Sequence, residues 1–459
     1  MDPIYYLYND EKILYPIDLV MGPVALAVIL TIGYLYCKFS IKDKHHSKIY
    51  LAGLSFKLAM SFLFALVYQY YYGHGDTYNY YAGARILIDH FWQHPNEVIE
   101  IFTTKYVNHS ASTERVTDLH GFFGSPNSVI VIKTAALFGA IFAKSYLAMS
   151  FCFGAFAFQG TWMIAKAFTK ARPNTDLFYV FCAFFPTLVF WTSGVMKDTI
   201  LLGALGFMFY AFMKLFHFGT KNFVWFVVLI VFSFYAFSVK EYAVILFYAS
   251  VPIFILGKMT YKLKYGMGKY FLKPTIYLAF LAFAGIAYFL IARYLPKFTP
   301  EILLAKIITT GLYIESTTGA GGSSYSLGTL DLMNPLSAVR LMPYSIFTTF
   351  FRPYIWEARE AFVLITAFES FLNLILVGFL IFKVGIVRII RAILAEPILL
   401  FSLVFVLLFA AMTGFSLNFG ALVRYKTPLL PFFYCLIIWL FTTKGFFISN
   451  RAPNPSGIE

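Results

Sequence analysis

The chain has 459 residues, of which 60% are hydrophobic, 20% are aromatic and only 13% are charged. In soluble domains about a quarter of the residues are charged, so this composition excludes an ordinary soluble protein and indicates a multi-pass membrane protein. The formal net charge is +14 at pH 7. Because the basic residues lie in short segments between apolar runs, the charge reports membrane topology and does not indicate nucleic-acid binding.

Apolar runs recur along the whole chain, and a helix needs roughly 20 such residues to cross the hydrocarbon core. The clear candidate spans lie near 17–37, 49–72, 176–193, 199–216, 223–239, 242–257, 275–293, 360–382, 397–413 and 427–443. We expect the first run to be retained, because it lacks a small-residue cleavage site. The stretch 128–165 is long enough for two more helices, but an alternating topology needs an odd number of crossings there. We therefore predict an all-α polytopic membrane protein with about 11–13 transmembrane spans.

The basic loops set the expected orientation. Assigning the lysine-rich loop 38–48 and the later basic clusters to the cytoplasm puts the long loop 73–127 on the outer face, together with the segment 294–359. The first outer loop should begin with a helix. We expect residues 1–459 to form a single membrane domain in a bacterial cytoplasmic membrane, with the functional face toward the periplasm. The glycine- and serine-rich stretch 317–330 should be a mobile loop, either a lid over a site or a plain connector.

The first outer loop opens with "YYGHGDTYNYYAGARIL", which sets Asp76 at the end of an apolar run. Asp76 could be a helix N-cap, since Asp is among the best caps. It could also act as a general base that takes a proton from an attacking hydroxyl group. The nearby Tyr78, Tyr80 and Tyr81 could stack on a sugar ring, line a cavity, or pack against lipid headgroups.

Several cations lie at helix ends on the expected outer face, where the positive-inside rule disfavours them. They are Lys197, Lys240, Arg352, Arg424 and Lys426. Phosphate is one candidate partner, because Arg offers a bidentate fork and Lys a compact charge. The alternative is ion pairing, of Lys197 with Asp198 or of Lys240 with Glu241. Glu369, a few residues into a predicted span, is an acid at membrane depth and therefore a functional candidate.

Other chemistries find no sequence support. The four cysteines all lie in apolar runs and have no metal-ligand spacing, so we assign no cofactor, and a requirement for a divalent metal stays open. No P-loop, dinucleotide fingerprint or G-x-S-x-G elbow occurs. The stretch "FFRPYIWEAREAF" at 350–362 fits an interfacial helix, or a surface that guides a lipid-phosphate headgroup.

Four short stretches resemble the GT-C superfamily of integral-membrane glycosyltransferases, and they spread over most of the chain. They are "GDTYNYYAGARIL", "KTAALFGAIFAKSYLAMSFCFGAFAFQGTWMIAKAF", "FFPTLVFWTSGVMKDTILL" and "RYKTPLLPF". Within that superfamily, these stretches most resemble the protein O-mannosyltransferases and the lipid A aminoarabinose transferases. The chain departs from them in having the single acid Asp76 where these families usually have an acidic pair.

The resemblance implies a fold and a reaction. Asp76 would be the general base, Lys197 and Asp198 a second outer-loop motif, and Arg424 a ligand of the donor phosphate. Independently of the resemblance, the outer-face positions of Lys240, Glu241, Arg352 and Lys426 predict that they also bind the substrate or the donor phosphate. The donor would be a polyprenyl-phosphate-linked sugar, transferred with inversion to a lipid, glycan or protein acceptor of the cell envelope.

Three other functions stay open. A Wzy-like polysaccharide polymerase or ligase also combines many spans with outer arginines and an acid. A transporter or flippase would be expected to show internal repeats and charges midway through spans. A structural subunit of an envelope assembly fits the composition as well.

Overall fold

The computed structural model describes residues 12–103, 121–262, 324–328, 336–358 and 361–446, with a few scattered residues between 263 and 323. Throughout these residues the regular structure is helical, apart from one isolated antiparallel bridge between Ser324 and Asn418. The predicted all-α class is therefore confirmed. The helices fall into two compact units, one within Met1–Glu241 and the other within Tyr242–Ile448.

The first unit contains ten described α-helices. They are α1 (Asp18–Ser40), α2 (Lys44–Val67), α3 (Asp76–Gln93), α4 (Val98–Thr103), α5 (Pro126–Ile141), α6 (Tyr146–Ala171), α7 (Leu177–Phe184), α8 (Pro186–Trp191), α9 (Lys197–Phe212) and α10 (Phe223–Val239). Two π-helical segments, Tyr68–Tyr72 and Met213–His217, continue α2 and α9. The loop 73–127 thus begins with helices α3 and α4, as predicted, while its residues 104–120 lie outside the described ranges.

Helix α6 is the centre of the first unit, because it packs against α1, α2 and α9. Its N-terminus is capped twice. Ser145 Oγ accepts a hydrogen bond from the Ala148 N–H, and the buried Asp18 carboxylate accepts one from the Leu147 N–H at 2.8 Å. Small residues then let α6 and α9 approach closely, since a Cβ atom on Gly206 would overlap the backbone of Gly160.

The predicted span 176–193 is wrong, because the chain forms the two short helices α7 and α8 there. Phe185 between them is extended, with φ −71° and ψ 118°, as expected for a residue that precedes proline. Pro186 also lacks the N–H that would continue the helical ladder. The helices have 8 and 6 residues, which is too short for either one to cross a bilayer.

The second unit contains seven described α-helices. They are α11 (Glu241–Lys262), α12 (Leu336–Phe351), α13 (Ala361–Val384), α14 (Ile386–Ala395), α15 (Pro397–Thr413), α16 (Phe419–Tyr425) and α17 (Leu430–Thr442). Helix α12 packs against α13 and α15, and α17 packs against the same two helices. Within the segment 317–330, the described residues 324–328 include a buried Tyr325, whose hydroxyl donates to the Gly414 carbonyl at 2.6 Å. The rest of that predicted mobile loop lies outside the described ranges.

Among the described residues, eight helical segments are long and apolar enough to cross a membrane. They are Asp18–Ser40, Lys44–Tyr72, Tyr146–Ala171, Lys197–His217, Glu241–Met259, Ala361–Val384, Pro397–Ser416 and Phe419–Thr442. The chain is thus a multi-pass membrane protein. The ambiguous stretch 128–165 resolves into the shorter apolar helix α5 and the full-length α6. The predicted span 275–293 lies outside the described ranges, so the total of about 11–13 spans stays a prediction.

Candidate functional site

Asp76 lies where the chain leaves α2 and turns into α3. The turn passes through Gly73, with φ +67°, and Gly75, with φ +128°, and both values favour glycine. The N-cap of α3 is Gly75, and Asp76 is the first helical residue, so the N-cap interpretation of Asp76 is wrong. The carboxylate is half-buried in the first turn of α3, where the helix dipole stabilises a negative charge.

The tyrosines that follow Asp76 are packed into the protein. Tyr80 is 2% exposed and its ring contacts Phe122, while Tyr81 is 3% exposed and donates to the Lys144 carbonyl. Neither ring presents a free face, so the predicted sugar stacking by Tyr80 and Tyr81 is not possible in this conformation. Tyr78 is half-buried, and its hydroxyl donates to the Tyr68 carbonyl at 2.9 Å. Burial raises the pKa of the Tyr78 hydroxyl.

Lys197 and Asp198 are the first two residues of α9. The turn that leads to them is fixed against α2. The Lys57 ammonium donates to the Val189 carbonyl at 2.7 Å and to Thr192 Oγ1 at 2.6 Å. The turn itself needs glycine at 194, because a Cβ atom there would overlap the ring of Phe64. The segment before α9 thus has one well-defined path beside α2.

An ion pair connects the start of α9 to the end of α10. Lys240 Nζ lies 2.5 Å from Asp198 Oδ1, and both side chains are largely buried. Sequence proximity suggested two other pairs, Lys197 with Asp198 and Lys240 with Glu241. The ion pair between Lys240 and Asp198 instead joins residues that are 42 positions apart. Glu241 follows directly as the first residue of α11 and is half-buried.

Lys197 interacts both with a second cation and with two carboxylates. It is half-buried and interacts electrostatically with Lys240, Asp76 and Asp198. Asp76, Lys197, Asp198 and Lys240 therefore form one cluster at the starts of α3 and α9 and the end of α10. We call these four residues the Asp76 cluster. Each element contributes only one or two of its members, so the cluster is a product of the tertiary fold.

The predicted phosphate ligands of the second unit have protein partners. The Arg352 guanidinium pairs with Glu357 and lies 5.3 Å from the ring centroids of both Tyr325 and Phe419. An arginine held in this way is occupied by its own carboxylate and aromatic neighbours. Its assignment as a free donor-phosphate ligand is therefore wrong for this conformation.

Lys426 is also engaged inside the second unit. It is 2% exposed, its ammonium lies 3.4 Å from Ser370 Oγ, and it interacts electrostatically with Glu369. The membrane-depth acid Glu369 thus has a cationic neighbour, and the predicted phosphate ligand Lys426 is buried beside it. Arg424 is half-buried near the end of α16.

Lys57 is a polar residue that sequence reasoning missed. It lies in the middle of the apolar run 49–72 and is 2% exposed. A lysine within a predicted span is a recognisable signal, because ionisable residues at membrane depth are functional candidates.

Within the described part of the chain, no group of three or more His, Cys, Asp or Glu side chains could hold a metal ion. Protein-family models, curated proteins and solved structures give no match to this chain. The side chains of the Asp76 cluster are therefore the basis for the chemistry of this site.

Proposed function

We propose that this chain is an integral-membrane glycosyltransferase that moves a sugar from a polyprenyl-phosphate donor to a hydroxyl group of an envelope acceptor. The observation that carries the proposal is the electrostatic interaction of Lys197 with Asp76. A half-buried carboxylate and a half-buried ammonium interact although they begin two helices that are distant in the sequence. Glycosyl transfer from a lipid phosphate needs both groups, one to accept a proton and one to stabilise the leaving phosphate.

In the proposed reaction, the Asp76 carboxylate accepts the proton of the acceptor hydroxyl group. The hydroxyl oxygen forms a bond to the anomeric carbon, and the bond from that carbon to the phosphate oxygen breaks. The phosphate departs with the bonding electron pair, and the configuration at the anomeric carbon inverts. A positioned general base contributes about 10²- to 10⁴-fold to the rate of such a step.

Lys197 is the proposed partner of the leaving phosphate. Its ammonium makes no hydrogen bond or ion pair within the described ranges, and its charge interacts with the Asp76 carboxylate. Lys240, by contrast, is committed to Asp198. That ion pair holds the start of α9 against the end of α10, so we assign Asp198 and Lys240 a positioning role. A donor aimed at a developing phosphate charge contributes about 10²- to 10³-fold.

The position of the Asp76 cluster suits a lipid-linked substrate. Lys197 begins a helix that is long and apolar enough to cross the membrane, and Asp76 follows the end of another. Both residues thus lie at the boundary between apolar helices and the loops that connect them. A polyprenyl chain could remain in the bilayer while its phosphate reaches this boundary. Membrane lipids surround the site in this proposal, and no nucleic acid takes part.

A transporter or flippase is the second candidate, and the buried charges favour it. Lys57, Glu369 and Lys426 are all buried within helices that could cross a membrane. Such residues often belong to substrate or proton pathways. Proteoliposomes separate the two functions, because transport moves an intact lipid-linked sugar between leaflets while transfer releases a free polyprenyl phosphate.

The test of the proposal uses the purified full-length protein and a labelled polyprenyl-phosphate sugar pool with envelope acceptors. We expect release of polyprenyl phosphate together with a labelled product. Addition of single sugars would support a transferase, whereas a growing chain would support a Wzy-like polymerase. Intact donor that has changed leaflet, without release of polyprenyl phosphate, would contradict the proposal and favour transport.

A further inference from the structure

A second group of cations lies at the other ends of α6 and α9. Lys166 and Lys170 belong to the last turns of α6, and Lys214 lies in the π-helical segment that continues α9. Lys197 and Lys214 are 17 positions apart, which corresponds to about 26 Å along a helix. This lysine group is therefore separate from the Asp76 cluster and lies at the opposite end of the same membrane-spanning segment.

Aromatic rings lie beside each of the three ammonium groups, and Lys170 Nζ is 5.0 Å from the centroid of the Phe218 ring. Lys166 Nζ lies 5.6 Å and Lys214 Nζ 5.7 Å from the centroid of the Tyr210 ring. Lys214 Nζ is also 5.7 Å from the Trp225 ring. Tyr210 and Trp225 contact each other edge to face, with centroids 5.1 Å apart. Tyr210 thus lies beside both Lys166 and Lys214, and Trp225 lies beside Lys214, so the two rings form one wall of the lysine group.

The three lysines also act on one another through their charges. Lys214 is 8% exposed and interacts electrostatically with both Lys170 and Lys166. None of the ion pairs found among the described residues includes any of the three. The like charges of these neighbouring ammonium groups repel each other, and burial strengthens the repulsion because the local dielectric constant is low. An anion bound among them would remove this cost.

We propose that Lys166, Lys170 and Lys214 form a binding site for a phosphate group, with Tyr210 and Trp225 as its wall. Lysine presents a compact charge with three donors, which suits phosphate oxygens approached from several directions. Two sources of this group are chemically equivalent at the site, the headgroup of an anionic phospholipid and free inorganic phosphate. The site is independent of glycosyl transfer, since none of its residues belongs to the Asp76 cluster.

The first experiment follows the thermal unfolding midpoint of the full-length protein, purified in a neutral detergent without phosphate. Inorganic phosphate and, separately, mixed micelles with phosphatidylglycerol are added, and phosphatidylcholine micelles serve as the zwitterionic reference. We expect a saturable rise in the midpoint with phosphate, with phosphatidylglycerol, or with both. A response to phosphatidylglycerol alone identifies a headgroup site, and a response to inorganic phosphate identifies a site for the free ion.

The variants Lys170→Gln and Lys214→Met remove one cation each, and Lys221→Gln is the matched control because Lys221 is an exposed lysine just beyond the same segment. We expect the apparent affinity to weaken at least tenfold in the first two variants and to stay unchanged in the control. Without any anion, Lys170→Gln should unfold at a higher temperature than the wild type, because it relieves repulsion. Absence of an anion response in the wild type, or equal loss in Lys221→Gln, would overturn the proposal. Lys170 is only half-buried, so its variant tests the site even if Lys214→Met fails to fold.

Discussion

The ammonium of Lys240 lies 2.5 Å from Oδ1 of Asp198 and joins the end of α10 to the start of α9. Because both groups are largely buried, removing one leaves the other charge without its partner. We expect Asp198→Asn and Lys240→Met each to lower the free energy of unfolding by about 3–5 kcal/mol. The double variant should lose less than the sum of the two, because it leaves no unpaired charge. Chemical unfolding of all four proteins in one detergent measures this coupling, and strictly additive losses would argue against the pair.

Lys197 should act on the donor phosphate more than on protein stability. Lys197→Met removes an ammonium that makes no ion pair with any described side chain, so the unfolding free energy should change little. We expect its affinity for the polyprenyl-phosphate sugar to fall about 10- to 100-fold, the range for a hydrogen bond to a charged group. Lys197→Arg keeps the charge and should recover part of the affinity. Equal donor binding and equal turnover by wild type and Lys197→Met would remove Lys197 from the phosphate site.

Lys57 should position the turn that precedes Lys197. Its two hydrogen bonds, to the Val189 carbonyl and Thr192 Oγ1, hold that turn against α2. Methionine at 57 fills a similar volume without a buried charge, so we expect a stability change below about 3 kcal/mol. The KM for the donor should nevertheless rise about tenfold, because a small displacement of a binding group is costly. Ser61→Ala, one turn further along α2, is the control and should leave KM unchanged.

The close packing of α6 on α9 makes a stability prediction. A side chain at Gly206 would overlap the backbone of Gly160, and backbone atoms cannot rotate away. Gly206→Ala should therefore lower the free energy of unfolding by about 1–3 kcal/mol or more. A Cβ atom on Gly378 in α13 would meet no atom within 4 Å, so Gly378→Ala should be neutral or slightly stabilising. The two variants, compared in one unfolding assay, test the packing independently of function.

Much of the fold could be predicted from hydropathy alone, because every crossing helix must be long and apolar. That rule located the helices at both ends of the chain but left the number of crossings in 128–165 open. It failed at 176–193, because this run is apolar throughout and its hydropathy does not reveal the helix break that Pro186 introduces. The division into two compact units was not predicted either, because the turn at Lys240 and Glu241 is as short as any other connection between spans.

The sequence predicts all four members of the Asp76 cluster, but it predicts with them Arg352, Arg424 and Lys426, which belong to the second unit. The position of Asp76, Lys197, Asp198 and Lys240 at helix ends was visible in the sequence, but their pairing was not. Sequence neighbours suggested pairs that the tertiary structure replaces with Lys240 and Asp198. The burial of Tyr80 and Tyr81 likewise depends on partners far along the chain. Periodicity places a residue on a helix but does not say which helix covers it.

In the proposed reaction Asp76 takes the proton from the acceptor, and one comparison tests this role most directly. Purified wild-type protein, Asp76→Asn and Asp89→Asn are compared for polyprenyl-phosphate release and for donor binding. Asp89 is the control, because it lies on the same helix but pairs with Lys144. We predict a loss of turnover of about 10²- to 10⁴-fold for Asp76→Asn with donor binding retained, and near wild-type turnover for Asp89→Asn. Unchanged turnover in Asp76→Asn would contradict the account.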